Sequence, residues 1–420
     1  MQELENRRNK LFELMKENSA AIIFAGTSKI ATEDEYYPFV VNNSFFYLTE
    51  IKQENSILLL VKGIGERKVY LFVDEYNELK EKWTGKRLSY DEASQISGIQ
   101  NVYSTSNFEN MLDICLSNKD NQYGIISTAY IDLTPETKIG EAKSTQNFAE
   151  ELSLKYKGLD IMDVKPIVTS LRMVKSAYEI EKLHAAISAT NNGINTLIAS
   201  FKPGMYEYQL ADLFEFYGRS YGRHQLAFST IIANGKNATC LHYPTQLSQI
   251  QPGTLILFDL GYKHDGYCAD ISRTYPIDGK FEGMQKEIYS AVLKCNKAII
   301  EYAHAGLTIK DLQEKAKEIL KGELVRLKLL KEDEEVTKYY FHNVSHHLGL
   351  DTHDAANREK PLEPGNVITV EPGLYISELG IGVRIEDDVL IHEDHAECLS
   401  IEIPKEIEDI EKLLRSKRNK

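Results

Sequence analysis

The sequence predicts a two-domain α/β (α+β) protein, and three observations carry that prediction. Over residues 20–165, short apolar strand-like runs alternate with helical segments, the pattern of an α/β domain. Beyond a break at Val164-Lys165-Pro166, the order helix, helix, strands, hairpin occurs over residues 176–275 and again over 282–392. Each copy ends on a hairpin whose first strand follows a Pro-Gly pair, Pro252-Gly253 and Pro364-Gly365. The expected domains are residues 1–165 and 173–420. Internal symmetry of this kind usually places a ligand where the two halves meet.

The first domain reads in order. Residues 1–19 have no signal-peptide apolar region and form an amphipathic pattern with Leu4, Leu11, Phe12, Leu14 and Met15 inward. Candidate strands are Ala20–Ala25, Ser56–Val61, Lys68–Val73 and Tyr123–Ser127, with helices around Tyr76–Trp83 and Phe108–Ser117. Gly63-Ile64-Gly65 lacks the third glycine of a phosphate loop and reads as a hairpin turn. The aromatics of Asn42–Thr49 read as core, with a substrate groove as the alternative.

In the second domain Ser176-Ala177-Tyr178-Glu179 is a capping box. Ile180, Leu183, Ile187, Thr190, Ile194 and Leu197 continue it as a helix to about Phe201. Lys202-Pro203-Gly204 breaks the chain before a second helix through Leu210, Leu213, Phe214 and Tyr217. Strand-like Phe228–Ala233 and Leu241–Tyr243 lead to the first hairpin. The second copy has helices over about Gly283–His304 and Thr308–Leu330, and the charged tail beyond Glu406 reads as a solvated helix end.

Composition narrows the function. The 420 residues are 42% hydrophobic and 27% charged, as in an ordinary soluble protein with ample core. The longest apolar runs, such as Ile57–Val61, are too short to cross a bilayer, so no membrane partner is expected. A net charge of −14 lacks the basic face that nucleic acid requires. Cys115, Cys240, Cys268, Cys295 and Cys398 are an odd, scattered set with no C-x-x-C pair, which fits reduced thiols in a cytoplasm.

The chemistry concentrates in the hairpins. In Gln251–Thr274, Asp259 and Asp270 sit symmetrically about the His264–Asp265 link. That register makes them cross-strand partners, while a two-residue turn on Asp265-Gly266 makes them diagonal neighbours on the same face. In Glu363–Leu390, Glu386 mirrors Glu371 about Glu378–Leu379, with Gly380 available for the turn. That loop is four residues longer, an even change that keeps face parity unless Pro372 introduces a bulge. Four buried acids are prohibitive without neutralisation, and two divalent cations supply the matching charge. His342, His346, His347 and His353 crowd the stretch before the second acid pair. A carboxylate-rich set with one imidazole suits Mn²⁺, Fe²⁺, Co²⁺ or Zn²⁺. His242 precedes the first hairpin and is placed to reach the same cavity, or else is a structural strand residue.

These motifs, Asp259 with Asp270, Ser345-His346-His347-Leu348-Gly349-Leu350-Asp351-Thr352-His353-Asp354, Glu371-Pro372-Gly373-Leu374-Tyr375 and Arg384-Ile385-Glu386-Asp387, resemble the pita-bread metallopeptidases. Within them the chain is most similar to the Xaa-Pro aminopeptidase (aminopeptidase P) family over essentially its whole length. Asn43-Ser44-Phe45-Phe46-Tyr47-Leu48-Thr49 resembles that family's creatinase-like N-terminal domain, with Glu50 standing where glycine is usual. The resemblance implies a creatinase-like domain followed by a pita-bread catalytic domain. It implies that Asp259 binds one metal, His346 and Glu371 the other, and that Asp270 and Glu386 bridge both, with Mn²⁺ the foremost candidate. A hydroxide between the metals would attack the peptide bond before proline. Glu371 would shuttle the proton, His242 and His353 would contact substrate and intermediate, and His342 would line the pocket. Arg384 would orient the ligands. The expected partner is a peptide with proline in second position, the expected assembly a homodimer. Rival readings are a prolidase confined to dipeptides, a metal-free creatinase-type hydrolase, and a binding protein that kept the fold and lost catalysis. The intact acids and His346 oppose the last two.

Overall fold

Six strands form the sheet of the N-terminal unit, in the order Asn101–Ser104, Arg67–Val73, Ile57–Lys62, Ser19–Phe24, Thr128–Ile131, Asp160–Asp163. The three middle strands pair antiparallel and the outer ones join parallel. The computed structural model describes residues 2–117, 123–134 and 145–418. The chain divides into two units, Met1–Arg172 and Met173–Lys420. The central strands are continuous apolar runs because helices cover them: Leu58, Leu59, Leu60 and Val61 are fully buried. The segment Tyr123–Ser127, expected as a strand, is not one. The Tyr123 carbonyl accepts from Ile64 at the Gly63–Glu66 turn, Gly124 turns left-handed, and the strand begins at Thr128. The strands Asn101–Ser104 and Asp160–Asp163 escape a pattern search because they are polar, half-exposed edges.

The first helix, Gln2–Leu14, buries Leu4, Leu11 and Phe12, whereas Leu14, expected inside, is 51% exposed. Arg7 and Arg8 are buried instead. Arg8 donates to the Ser97 carbonyl (2.9 Å) at the end of the helix Tyr90–Ser97. Arg7 donates to the Tyr47 carbonyl (2.9 Å) and Arg8 also to that of Leu48 (2.8 Å), so two guanidiniums close carbonyls at one further helix C-terminus. That helix is Asn43–Thr49, capped by the Asn42 side chain, and its Phe45, Phe46 and Tyr47 are core. Glu50 ends it at φ 55°, the left-handed cap position that glycine takes without strain.

In the C-terminal unit the Ser176 capping box starts the helix Ala177–Ser200, and Glu207–Ser220 follows. Their counterparts are Gly283–Tyr302 and Ile309–Arg326. Leu241–Tyr243 is not a strand: a 3₁₀ turn over Gly235–Thr239 precedes it, and the Cys240 amide bonds back to Asn237. The terminal helix Ile407–Arg418 is amphipathic rather than merely solvated, with Ile410 and Leu414 fully buried.

Both hairpins are broken in two. Leu255–Leu260 pairs with Ile271–Pro276, and their tip, Tyr262–His264 with Tyr267–Cys268, belongs to a separate sheet. The break is at Gly261, where a Cβ would lie 1.9 Å from the Ala269 carbonyl oxygen. Val367–Val370 pairs with Asp387–Ile391, and Gly373–Ile376 with Ile381–Arg384 forms the second tip.

Candidate metal centre

Register decides which side chains face one another. In the first hairpin Asp259 stands opposite Ser272, not Asp270, and Lys263 opposite Cys268. One register, turning on Asp265-Gly266, therefore runs through both pieces, and Asp270 is the diagonal neighbour of Asp259. In the second hairpin Val370 faces Asp387 and Gly373 faces Arg384. The same register on both sides of Pro372 puts Glu371 against Glu386, so proline interrupts the ladder without adding a bulge residue. The hairpins are thus not duplicates. Aligned on their Pro-Gly pairs, Ser272 takes the place of Glu386 and Asp270 that of Arg384.

The two non-acidic members of this pattern join the acids together. Arg384 Nε donates to Ser272 Oγ (2.7 Å), its Nη2 to Asp259 Oδ2 (2.6 Å) and its Nη1 to the Tyr375 hydroxyl (3.0 Å). The Ser272 hydroxyl donates to Glu386 Oε2 at 2.7 Å, with Asp259 Oδ1 at 3.3 Å. Ligand atoms of Asp270, His346 and Glu386 lie within 4.8 Å of one another. His346 Nε2 is 3.5 Å from Asp270 Oδ2 and 3.4 Å from Glu371 Oε1.

Four segments support this cluster from behind. The Glu371 amide donates to Val344 O, and the Glu386 amide to Ser272 O. Thr369 is hydrogen-bonded to both main-chain groups of His346, and its hydroxyl lies 3.4 Å from Glu371 Oε1. Arg273, fully buried, donates to the carbonyls of Ser272 (2.9 Å) and Glu386 (2.5 Å) and to Asp387 Oδ1 (2.7 Å). Gln313, from a helix, receives the Val344 amide (2.6 Å) and donates to the His342 carbonyl (3.1 Å). Ser272, Thr369, Arg273 and Gln313 escaped the sequence reading. The register through Asp265-Gly266 signals Ser272; the other three carry no local pattern.

The histidine segment is held by a buried ion pair. Lys175 Nζ lies 3.1 Å from Asp354 Oδ2, each side chain 1% exposed, and the Asp354 amide bonds to His347 O. This closes the loop so that the His346 and His353 rings meet edge-to-face at 4.3 Å. His342 donates through Nδ1 to the Asn343 carbonyl (2.8 Å), which leaves Nε2 to accept the Tyr375 hydroxyl (2.9 Å). Burial and then Arg384 push its pKa down to about 3, so it is neutral at working pH.

A cation fits this donor set. The His346 Nδ1 proton goes to the His347 carbonyl (3.1 Å), which can only accept. Nε2 then presents a lone pair to two carboxylate oxygens, an arrangement that repels itself unless a positive charge lies between. The acids show the same strain. Burial, then Asp259, Asp388 and Glu371, hold the Asp270 carboxyl well above its ordinary range. Burial, then Asp270, Glu371 and Asp259, do the same to Glu386. Burial raises Glu371 to about 7. No cysteine is among the described residues that line the cavity, and burial pushes the Cys268 thiol behind it up to about 12. His242, Asp259, Asp270, His342, His346, His353, Glu371, Arg384 and Glu386 all line one cavity of about 910 Å³, within the C-terminal unit.

Comparison with known proteins agrees in extent. The family model described as metallopeptidase family M24 matches residues 181–393, and that of the aminopeptidase P N-terminal domain matches residues 4–123. The Xaa-Pro aminopeptidase of Haemophilus influenzae is 34% identical, over 98% of this chain and 97% of its own. That of Escherichia coli is 32% identical over 99% and 98%. The solved Escherichia coli aminopeptidase P with the inhibitor Pro-Leu superposes at TM-score 0.89 and 31% identity, covering 100% of this chain and 99% of that one.

Proposed function

Because the chain belongs to metallopeptidase family M24 and carries an aminopeptidase P N-terminal domain, we propose that it is an Xaa-Pro aminopeptidase. It releases the N-terminal residue from peptides with proline in second position. The observation that carries this is the convergence of Asp270, His346 and Glu386, joined by Glu371 and Asp259, in one cavity large enough for a short peptide. Full-length similarity to Xaa-Pro aminopeptidases supports the substrate class.

Asp259, Asp270, His346, Glu371 and Glu386 are the ligands for two divalent cations, with Mn²⁺ the first candidate and Co²⁺, Zn²⁺ or Fe²⁺ the others. Bound cations would supply Lewis acidity and lower the pKa of water enough to make it nucleophilic near neutral pH. The chain's own groups do the rest. An Xaa-Pro amide nitrogen carries no hydrogen and leaves as a secondary amine, so it must receive a proton. Glu371, bordering the cavity beside His346 and His342, holds that proton and delivers it. His242 and His353 face the cavity and offer hydrogen bonds to substrate, while neutral His342, both of its ring nitrogens already engaged, lines the pocket. Arg384 keeps Asp259 and Ser272 in place and so positions the cluster.

The enzyme is read as cytoplasmic, which its five free cysteines support, and no described helix is long and apolar enough to cross a membrane. A homodimer is the expected assembly. Exposed Tyr36, Tyr37, Tyr76 and Trp83 in the N-terminal unit support self-association, which light scattering will test.

Prolidase, restricted to dipeptides, is the second reading, because the same ligands serve it. Enzyme stripped of metal and reloaded with Mn²⁺ should cleave Gly-Pro-Pro and longer peptides and spare Gly-Ala-Pro. Cleavage confined to Gly-Pro selects prolidase, and full activity after verified metal removal defeats both.

A further inference from the structure

The cavity is not acidic throughout. Among the described residues, three with cationic side chains line it: Arg384, Lys263 and Arg358. Arg384 is committed to Asp259, Ser272 and Tyr375. The side chains of Lys263 and Arg358 have neither an ion pair nor a hydrogen bond among the described residues.

Their main chains are nevertheless fixed. Lys263 is in the strand Tyr262–His264, paired on one side with Cys268 and on the other with Gln225. Arg358 sits in a loop anchored by the Asn357 amide on Met173 Sδ (3.5 Å), the Glu359 amide on Asn357 Oδ1 (3.1 Å) and the Lys360 amide on Asn357 O (3.2 Å). Both residues line the cavity from segments tied to the histidine loop. The hairpin of Lys263 is joined to the histidine loop through Cys268 N and Gly349 O. The Arg358 charge is close enough to act on both His347 and His353. Thr352 and His353 line the wall along with them.

We propose that Lys263 and Arg358 form a carboxylate subsite that reads a negative charge on the peptide downstream of proline. The inference rests on the aminopeptidase reading and adds a preference to it. Two cations with no ion pair or side-chain hydrogen bond, on anchored backbone and lining the same cavity as the acid cluster and Asp351, suit an anion that arrives with the substrate. Arginine offers a planar two-toothed grip on a carboxylate, and lysine a point charge beside it. Short peptides bring such a group in two ways, as the free C-terminal carboxylate or as an Asp or Glu side chain.

Three tripeptides distinguish the sources: Gly-Pro-Gly as the free acid, Gly-Pro-Gly amide, and Gly-Pro-Glu amide. Two exposed ion pairs give the free acid a kcat/KM advantage over the amide of about two- to thirtyfold, carried by KM and eroded by salt. In the K263A/R358A variant that advantage disappears, and in K263E/R358E it inverts. A comparable advantage for Gly-Pro-Glu amide assigns the subsite to any downstream carboxylate, and its absence to the C-terminus. Equal kcat/KM for acid and amide in the wild-type enzyme at low salt overturns the subsite alone, as does a preference that survives both double variants. Failure to cleave any of the three overturns the aminopeptidase reading and the subsite with it.

Discussion

Replacing Lys175 with methionine tests whether the histidine loop owes its shape to one buried charge pair. Methionine keeps the unbranched stem and removes the ammonium, leaving Asp354 without its partner at 1% exposure. Breaking a buried pair from one side costs about 3–5 kcal/mol, because the remaining charge stays desolvated. For a unit of roughly 250 residues that is a fall in melting temperature of about 6–20 °C. The loss should be local in its functional effect. Asp354 follows His353 in the chain and its amide bonds to His347 O, so both ends of the loop shift together. Calorimetry with circular dichroism reads the stability, and Mn²⁺ titration reads the affinity that depends on His346. The double variant K175M/D354L should regain most of the loss, since an apolar pair of similar volume can be nearly neutral. Gly349→Ala should copy K175M, because a Cβ there would lie 2.3 Å from Asp354 Oδ2. If K175M melts within a degree or two of wild type and binds Mn²⁺ unchanged, the pair is not what holds the loop.

Asp270→Asn and Glu386→Gln should each lower kcat/KM by more than about a hundredfold while circular dichroism stays native, since loss of a ligand should exceed the 10–100-fold typical of outer-sphere partners. Near-normal turnover in either would contradict the ligand assignment. Ser272→Ala removes the hydroxyl shared by Arg384 and Glu386 and should cost about 10–100-fold in activity or metal affinity, measured by kinetics and calorimetry. The metal-free protein should also be pH-sensitive. The Glu371 carboxyl is raised from 4.5 to about 7, so the folded state binds the proton more tightly than the unfolded chain. Stability therefore falls as pH rises from about 4.5 to 7, and the raised Asp270 and Glu386 carry the loss further in the same direction. Added Mn²⁺ should raise the melting temperature more at pH 8 than at pH 5, and the opposite order would refute this.

The legible part of this protein was what repeats with a period. The helices of both halves, the central strands and the four acids follow from apolar spacing and the Pro-Gly pairs. The second hairpin was legible but for the bulge that Pro372 left open, since Glu371 and Glu386 mirror each other about one available turn. The first left two registers open, and only the one turning on Asp265-Gly266 exists. Polar edge strands and buried Arg7 and Arg8 were illegible because their partners are distant in the chain: Arg7 reaches Tyr47 and Arg8 reaches Ser97. Arg273 and Gln313 fail for the same reason, since each acts on carbonyls or amides of another segment, which no local pattern encodes.

Because the Glu371–Glu386 register is held by ladder pairs on both sides of Pro372, the aim of these two carboxylates does not rest on the residues of the Ser377–Gly380 turn. The outer end of that hairpin is therefore a graft point. Epitopes or affinity tags inserted between Glu378 and Leu379 should leave catalysis intact, whereas even a single residue added between Val370 and Pro372 would rotate an acid out of the cluster.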